Sequence, residues 1–241
     1  MRVIVYNIRY ATGGHHRFPL GGYLSQTHNR LNELIEFIRP YNPDVLGLIE
    51  VDSGSYRSGR KNQAETIANA LGHYHTCRTK YGEGSLSNYI PILNKQSNAF
   101  LSRDSIHNEK FHYFNNGMKR LVIELELEGM VIFLVHLALS FRVRQMQLLE
   151  LYRLVKQSKK PAVISGDFNA LWGEHEIELF LGASGMINAN TESLPTFPSL
   201  KPKRHLDFIL HSPCIKTLNF EIPQTTISDH LPLVWDFEIV G

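Results

Sequence analysis

Only two cysteines, Cys77 and Cys214, stand in 241 residues, far apart and in no metal-ligand spacing. A disulfide framework and a thiolate zinc module are thereby excluded, and both are read as reduced thiols. Net charge is small too: 25 Lys and Arg against 23 Asp and Glu leave +2. This disfavours a protein that grips nucleic acid through a strong overall positive field, but not one with a local basic patch. Long apolar runs are also missing. "RVIVY" near the N-terminus is too brief for a membrane span or a secretory signal, and no small-residue cleavage site follows it. The expectation is a soluble cytoplasmic chain. No internal repeat, low-complexity block or linker stands out, so residues 1–241 are read as one domain.

What the chain does have is a set of short apolar runs with polar ends. "RVIVYN" stops at Asn7, "DVLGLIE" at Glu50, "MVIFLVH" at His136 and "PAVISGD" at Asp167, while "HLDFILH" carries Asp207 near its start. Such Val-, Ile- and Leu-rich runs read as strands buried on both faces, whose polar ends would gather at one edge. "LVIELELE" alternates instead, and with "EGM" and "VIFLVH" it predicts an antiparallel hairpin over residues 119–136. "LPLVWDFEIV" alternates similarly, with Leu233, Trp235, Phe237 and Ile239 on the core side. Helical spacing links Leu31, Leu34, Ile35 and Ile38. It also links Leu148, Leu151, Tyr152 and Val155 after a cap at Ser140, then Ile177, Phe180 and Leu181, and finally Ile67, Ala70 and Leu71. Hairpins mixed with helical crossovers imply two packed sheets with helices outside. Loops are predicted at 11–26, 52–62, 80–97 and 188–205, and loops of that length in a compact domain are often functional.

Singly, each polar end has a structural explanation. Asn7 fits a turn, Glu50 a solvated strand end and His136 a hydrogen-bonded core imidazole. Together they describe a chemistry. Hard oxygen ligands such as Glu50 and Asp229, without thiolates or a paired His-x-x-x-His, favour Mg²⁺ or Mn²⁺ over zinc. Mg²⁺ commonly shares its sphere with water and phosphate oxygens, so a phosphate ester is the natural substrate. In that scheme Asp167 polarises a water, Asn7 and Asn169 donate to phosphoryl oxygens, and a protonated His230, oriented by Asp207, neutralises charge.

In order, "YNIR" at 6–9, "PDVLGLIEV" at 43–51, "VHL" at 135–137, "GDFN" at 166–169, "LDFIL" at 206–210 and "SDHLPL" at 228–233 resemble the motifs of the endonuclease/exonuclease/phosphatase superfamily. That group includes deoxyribonucleases, abasic-site endonucleases, sphingomyelinases and inositol polyphosphate phosphatases. The resemblance implies a four-layer α/β/β/α sandwich of two mixed sheets flanked by helices, with the active site at one rim. It implies Glu50 as principal metal ligand beside Asn7 and Asp229. Asp167 and Asn169 would serve the nucleophilic water and the phosphate, His136 and His230 the phosphoryl oxygens, and Asp207 would hold His230. Arg9 stands where some abasic-site enzymes carry an acid, which favours a single metal. Asp52 stands where the deoxyribonucleases place an arginine against DNA, a negative charge unfriendly to a phosphodiester backbone.

The expected activity is a Mg²⁺-dependent phosphoester hydrolase of phosphodiesterase type. The alternatives are a nuclease acting on DNA or RNA, a hydrolase of phospholipid or a small phosphorylated metabolite, and a binding module that kept the fold and lost the reaction. Arg120, Lys203 and Arg204 are the candidate substrate contacts, each weighed against ordinary surface charge. Arg57, Arg60 and Lys61 could reach the site, Trp172 could stack on a base, and the tandem His15 and His16 reads as a loop pair. No obligate protein partner is expected.

Overall fold

The computed structural model describes residues 1–13, 28–81, 92–106 and 108–240. In chain order the first half supplies β1 (Arg2–Asn7), α1 (His28–Ile38), β2 (Val45–Asp52), α2 (Gln63–Leu71), β3 (Tyr74–Thr79) and β4 (Gln96–Ser102). Then come β5 (Glu109–Tyr113), β6 (Leu121–Leu127), β7 (Met130–His136), α3 (Phe141–Gln157) and β8 (Ala162–Asp167). The chain finishes with α4 (His175–Ser184), β9 (Ile187–Asn188), β10 (Asp207–His211), β11 (Ile215–Glu221) and β12 (Leu233–Ile239).

These strands make two six-stranded sheets, in the orders β11-β12-β1-β2-β4-β3 and β5-β6-β7-β8-β10-β9. Each has a central parallel pair, β1 with β2 and β7 with β8, among antiparallel neighbours. Period-two alternation then sorts the side chains into layers. Val3 and Val5 join Leu134, Trp235 and Leu121 in the apolar layer shared by the two sheets. Ile4 and Tyr6, one residue out of phase, meet Leu34, Ile38 and Ile67 of α1 and α2. On the far side Val135 and Phe133 meet Leu148, Leu151 and Phe180 of α3 and α4. The result is the α/β/β/α sandwich, and full burial of each large apolar side chain in it contributes about 2 kcal/mol before entropy is counted.

The hairpin forms as expected, with Glu124 turned outward to Lys110 and His112. Ser140 stands at the N-cap of α3, although its hydroxyl makes no capping bond. Some expectations are corrected. Ile239, expected on the core side, is 41% exposed at the last position of β12. The segment 52–62 contains a single helical turn, Tyr56–Ser58, and 188–205 contains a bridge between Phe197 and Arg204. His15 and His16, with most of the 11–26 loop and part of the 80–97 loop, lie outside the described residues. Among the described residues no helix is long and apolar enough to cross a membrane.

Candidate active site

Pairing register explains why distant residues meet. In the parallel pair β1/β2, Asn7 lies opposite Ile49, one residue short of Glu50. In β7/β8, His136 lies opposite Asp167, and β10 runs antiparallel so that its first residue, Asp207, faces Asp167 as well. The rims of the two sheets then touch: the Asn7 side-chain amide donates to Asp167 Oδ2 at 3.1 Å, across 160 residues of chain.

The backbone is bent to aim these groups. Pairing of β2 with β4 slips between Leu48 and Val51, and within that irregularity Glu50 takes φ +58°, a left-handed conformation that costs a non-glycine residue about 1–2 kcal/mol. Asn169 takes φ +50°, donates its amide N–H to Asp167 Oδ1 at 2.9 Å, and gives a side-chain N–H to the Leu137 carbonyl at 2.9 Å. Gly166 has φ +143°, and a Cβ built there would lie 2.0 Å from the Val135 carbonyl oxygen. The glycine of "GDFN" therefore lets β8 approach β7 closely just before the catalytic candidate.

Asp167 is buried, and burial alone would favour its neutral form. The neighbouring His136, His230 and Lys119 win, and hold its carboxyl far below the usual range. His136 Nε2 is 3.3 Å from Asp167 Oδ2 and also meets the Lys119 ammonium. His136 Nδ1 lies 4.0 Å from Glu50 Oε1. Burial, reinforced by Lys119 and Lys80, pushes His136 down to about 4. His230 goes the other way. Its Nδ1 bonds Asp207 Oδ2 at 2.8 Å, and Thr196 Oγ1 donates to the same oxygen at 2.6 Å. Burial would strip the imidazolium of its proton, but Asp207, Asp167 and Asp229 outweigh it and raise His230 to about 10. Phe197 lies against the ring, 4.9 Å between centroids.

Glu50 is the acid facing a cleft of about 460 Å³, whose walls include Tyr10, Lys80, Tyr81, Met118 and Lys119. Burial would raise its carboxyl, but Lys80, with its Nζ 3.6 Å away, His136 and Lys119 bring it to about 2. Burial also lowers Lys80 to about 8 against the pull of Glu50, and its ammonium donates to Tyr10 Oη at 2.9 Å. Burial and the nearby Glu50 press the Asp229 carboxyl above its usual value, although His230 and Arg9, 3.4 Å away, oppose them.

Glu50, Asp229 and the Asn7 side-chain oxygen are hard oxygen donors at this rim, and Glu50 disfavours the charge of Asp229. That chemistry fits Mg²⁺ or Mn²⁺. Asp167, Asp207 and His230 are another group that could hold an ion, their ligand atoms all within 4.8 Å of one another. That trio is already satisfied by a charged imidazole, so a cation there would have to displace it. Asp207 Oδ1 and His136 Nδ1 are buried without hydrogen-bond partners among the described residues, as expected of groups that complete their bonding with a ligand.

Other candidates take no part in the hydrogen bonds of this cluster. Lys203 and Arg204 are exposed on the bridge to Phe197, and Arg60 and Lys61 are exposed as well. Trp172 is 72% exposed and, with Phe141 and Leu179, lines a separate surface pocket. Arg57 is buried against Asp52, Nε to Oδ2 2.6 Å, and stacks on the Tyr10 ring at 3.9 Å. Asp52 is therefore an internal, neutralised charge, and the objection to a phosphodiester backbone drawn from it is withdrawn. Arg120 gives its carbonyl to the Phe114 amide, and the side chain that reaches the cluster is that of Lys119. Phase could have separated the two: Lys119 is in step with Leu121 and Ile123, which face the inter-sheet layer, whereas Arg120 is in step with Val122, which faces α3. Sequence reasoning also passed over Lys80 and Thr196, which sit in long connections without an apolar run to mark them. A groove of about 540 Å³ lies elsewhere, on the outer face of the second sheet, where Lys110, His112 and Lys160 are all paired with Glu124 or Glu126.

Solved structures share this architecture. The human Nocturnin catalytic domain with bound sulfate is 22% identical with TM-score 0.70, covering 100% of this chain and 94% of that one. The Bacteroides thetaiotaomicron mannosyl-6-phosphatase Bt3783 is 14% identical with TM-score 0.72, covering 99% and 100%. D. rerio TDP2 complexed with single strand DNA product is 14% identical with TM-score 0.70, covering 99% and 98%. At these identities the likeness is one of fold, and no curated protein matches the sequence. The profile of the Endonuclease/Exonuclease/phosphatase family, however, matches residues 4–230, a span that includes every strand end gathered at the rim, and the chain belongs to that family.

Proposed function

We propose that the chain hydrolyses phosphate esters with the aid of a divalent cation, Mg²⁺ or Mn²⁺. The observation that carries this is the contact of the two sheet rims, where Asn7 meets Asp167 and a charged His230–Asp207 pair stands beside them. Glu50, Asn7 and Asp229 would hold the cation, which supplies Lewis-acid stabilisation of charge on the phosphoryl oxygens. Asp167, ionised throughout the working range, accepts a hydrogen bond from the attacking water and aligns it with phosphorus. Its own orientation is fixed by Asn7 and the Asn169 amide. His230 donates from Nε2 to a phosphoryl oxygen, its Nδ1 being committed to Asp207. The Lys119 ammonium and the second Asn169 side-chain hydrogen add donors. A positioned donor of this kind is worth about 100- to 1000-fold in kcat.

The cleft favours a small phosphorylated molecule, since Tyr81, Met118, Leu139 and Val143 offer apolar wall beside the two lysines. A nucleic-acid substrate is the second reading, supported by the internal pairing of Asp52 with Arg57. The two similar structures named for substrates span the same range, one a mannosyl-6-phosphatase and one holding a DNA product. The test is a panel of phosphomonoesters, phosphodiesters, plasmid DNA and anionic lipid vesicles. Turnover of at least one class is expected, lost in EDTA and restored by Mg²⁺ or Mn²⁺. No turnover of any class, or turnover indifferent to EDTA, would contradict the reading.

A further inference from the structure

Helix α3 sends a buried glutamine between the two loops that flank the cluster. Gln147 is fully buried and spends its amide on two loops at once. Its Oε1 accepts from the Ala138 N–H at 2.8 Å, and its Nε2 donates to the carbonyls of Asn116 at 2.9 Å and Lys119 at 2.8 Å. Both carboxamide hydrogens and the oxygen are thereby engaged. Ala138 follows His136 by two positions, and Lys119 is the residue whose ammonium meets His136. One glutamine therefore ties together the chain on both sides of that contact.

The loop it holds is seated tightly. Phe114 donates its amide to the Arg120 carbonyl at 2.8 Å, closing residues 114–120 on themselves. Glu150, nearly one turn further along α3, accepts from the Asn115 backbone and side-chain amides at 3.0 and 2.9 Å. Gly117, at φ +95°, approaches α3 so closely that a Cβ there would lie 2.9 Å from both Gln147 Nε2 and Val143 Cγ1. A lysine side chain has four rotatable bonds and loses considerable entropy when held in one place. Anchoring its own carbonyl removes the backbone share of that freedom.

We propose that Gln147 is a positioning residue for the reaction, setting the Lys119 ammonium against His136 at the phosphoryl subsite. The proposal rests on the reading of the cluster as a phosphoester centre with Lys119 among its donors.

The experiment is a double-mutant cycle between Gln147→Met, which keeps the volume and removes the amide, and Lys119→Ala. It is read as kcat and KM on the best ester of the panel, and separately as equilibrium binding of inorganic phosphate by calorimetry. Lys119→Ala is expected to lower kcat/KM about 100-fold and Gln147→Met about 10-fold, both also weakening phosphate binding. The double variant should lose no more than Lys119→Ala alone, since an absent ammonium cannot be misplaced. Losses that multiply to about 1000-fold, or a Gln147→Met protein indistinguishable from the parent, overturn the proposal. Should Gln147→Met fail to fold, Gly117→Ala displaces the same loop from its other side and is expected to give the same non-additive pattern, additivity again overturning it. A parent chain without turnover would sink the phosphoester reading, yet the phosphate-binding cycle would still decide the role of Gln147. A parent that binds no phosphate counts against Gln147 as well.

Discussion

His230 remains charged in a place where burial opposes charge, and the reason is its company: Asp207 at 2.8 Å, with Asp167 and Asp229 behind it. A folded-state pKa raised to about 10 lies above the value near ~6.5 of an unperturbed histidine. The imidazolium's contribution to stability is therefore present below ~6.5 and is lost as pH rises through the folded value, while burial presses the Asp207 carboxyl itself above its usual range. Activity that needs the imidazolium should follow the same limb. Asp207→Asn removes the largest attraction, and the alkaline limb of kcat/KM is expected to move to lower pH by roughly one unit or more. A limb that stays in place would show that another group sets it. The identity of these residues was legible in the sequence because each ends or begins an apolar run. A protonated His230 oriented by Asp207 was expected from the sequence; the second partner of Asp207, Thr196, was not, because it comes from the long connection before β10.

Strands and helices show the same division. Of the strands foreseen, β1, β2, β7, β8 and β10 are fully or almost fully buried and so write unbroken apolar runs, while β6 and β12 were foreseen from alternation. Those not foreseen include β3, β5, β9 and β11, which are the edges of the two sheets and keep polar residues in contact with solvent. β4 is buried but carries Ser97 and Asn98, whose amide oxygen receives the strained Glu50 N–H. Satisfying the Glu50 N–H there interrupts the apolar pattern. Close approach is equally hard to read. The glycine of "GDFN" is visible in sequence, but not the carbonyl of Val135 against which a side chain would press. Gly166→Ala is expected to destabilise the fold by about 3 kcal/mol or more, read from urea midpoints. A variant within about 0.5 kcal/mol of the parent would mean that β7 and β8 can part without cost. Among the helices, the buried pair of Arg144 on α3 with Glu176 on α4 ties both to the site. Arg144 donates to the carbonyls of Ala138 and Leu139, and Glu176 accepts from the Trp172 amide.

At the scale of the whole molecule, the layer order followed from pattern, whereas the meeting of the rims did not. Alternation tells which face of a strand is apolar, and run ends tell which residues stand at a rim. Neither says that the rim of one sheet lies within hydrogen-bond reach of the other, as the bond from Asn7 to Asp167 requires. Phase separates Lys119 from Arg120, but it does not reveal the seating of the 114–120 loop on α3 that holds the Lys119 carbonyl. The meeting of the rims is what brings strand ends of both sheets into one cluster, and Asp167 is the residue that both sheets hold. The most direct test is the turnover of the best phosphoester by Asp167→Asn beside the parent, with thermal melting measured on both. The account predicts a loss of about 1000-fold or more in kcat with the melting transition retained; near-parental turnover by a folded Asp167→Asn protein would contradict it.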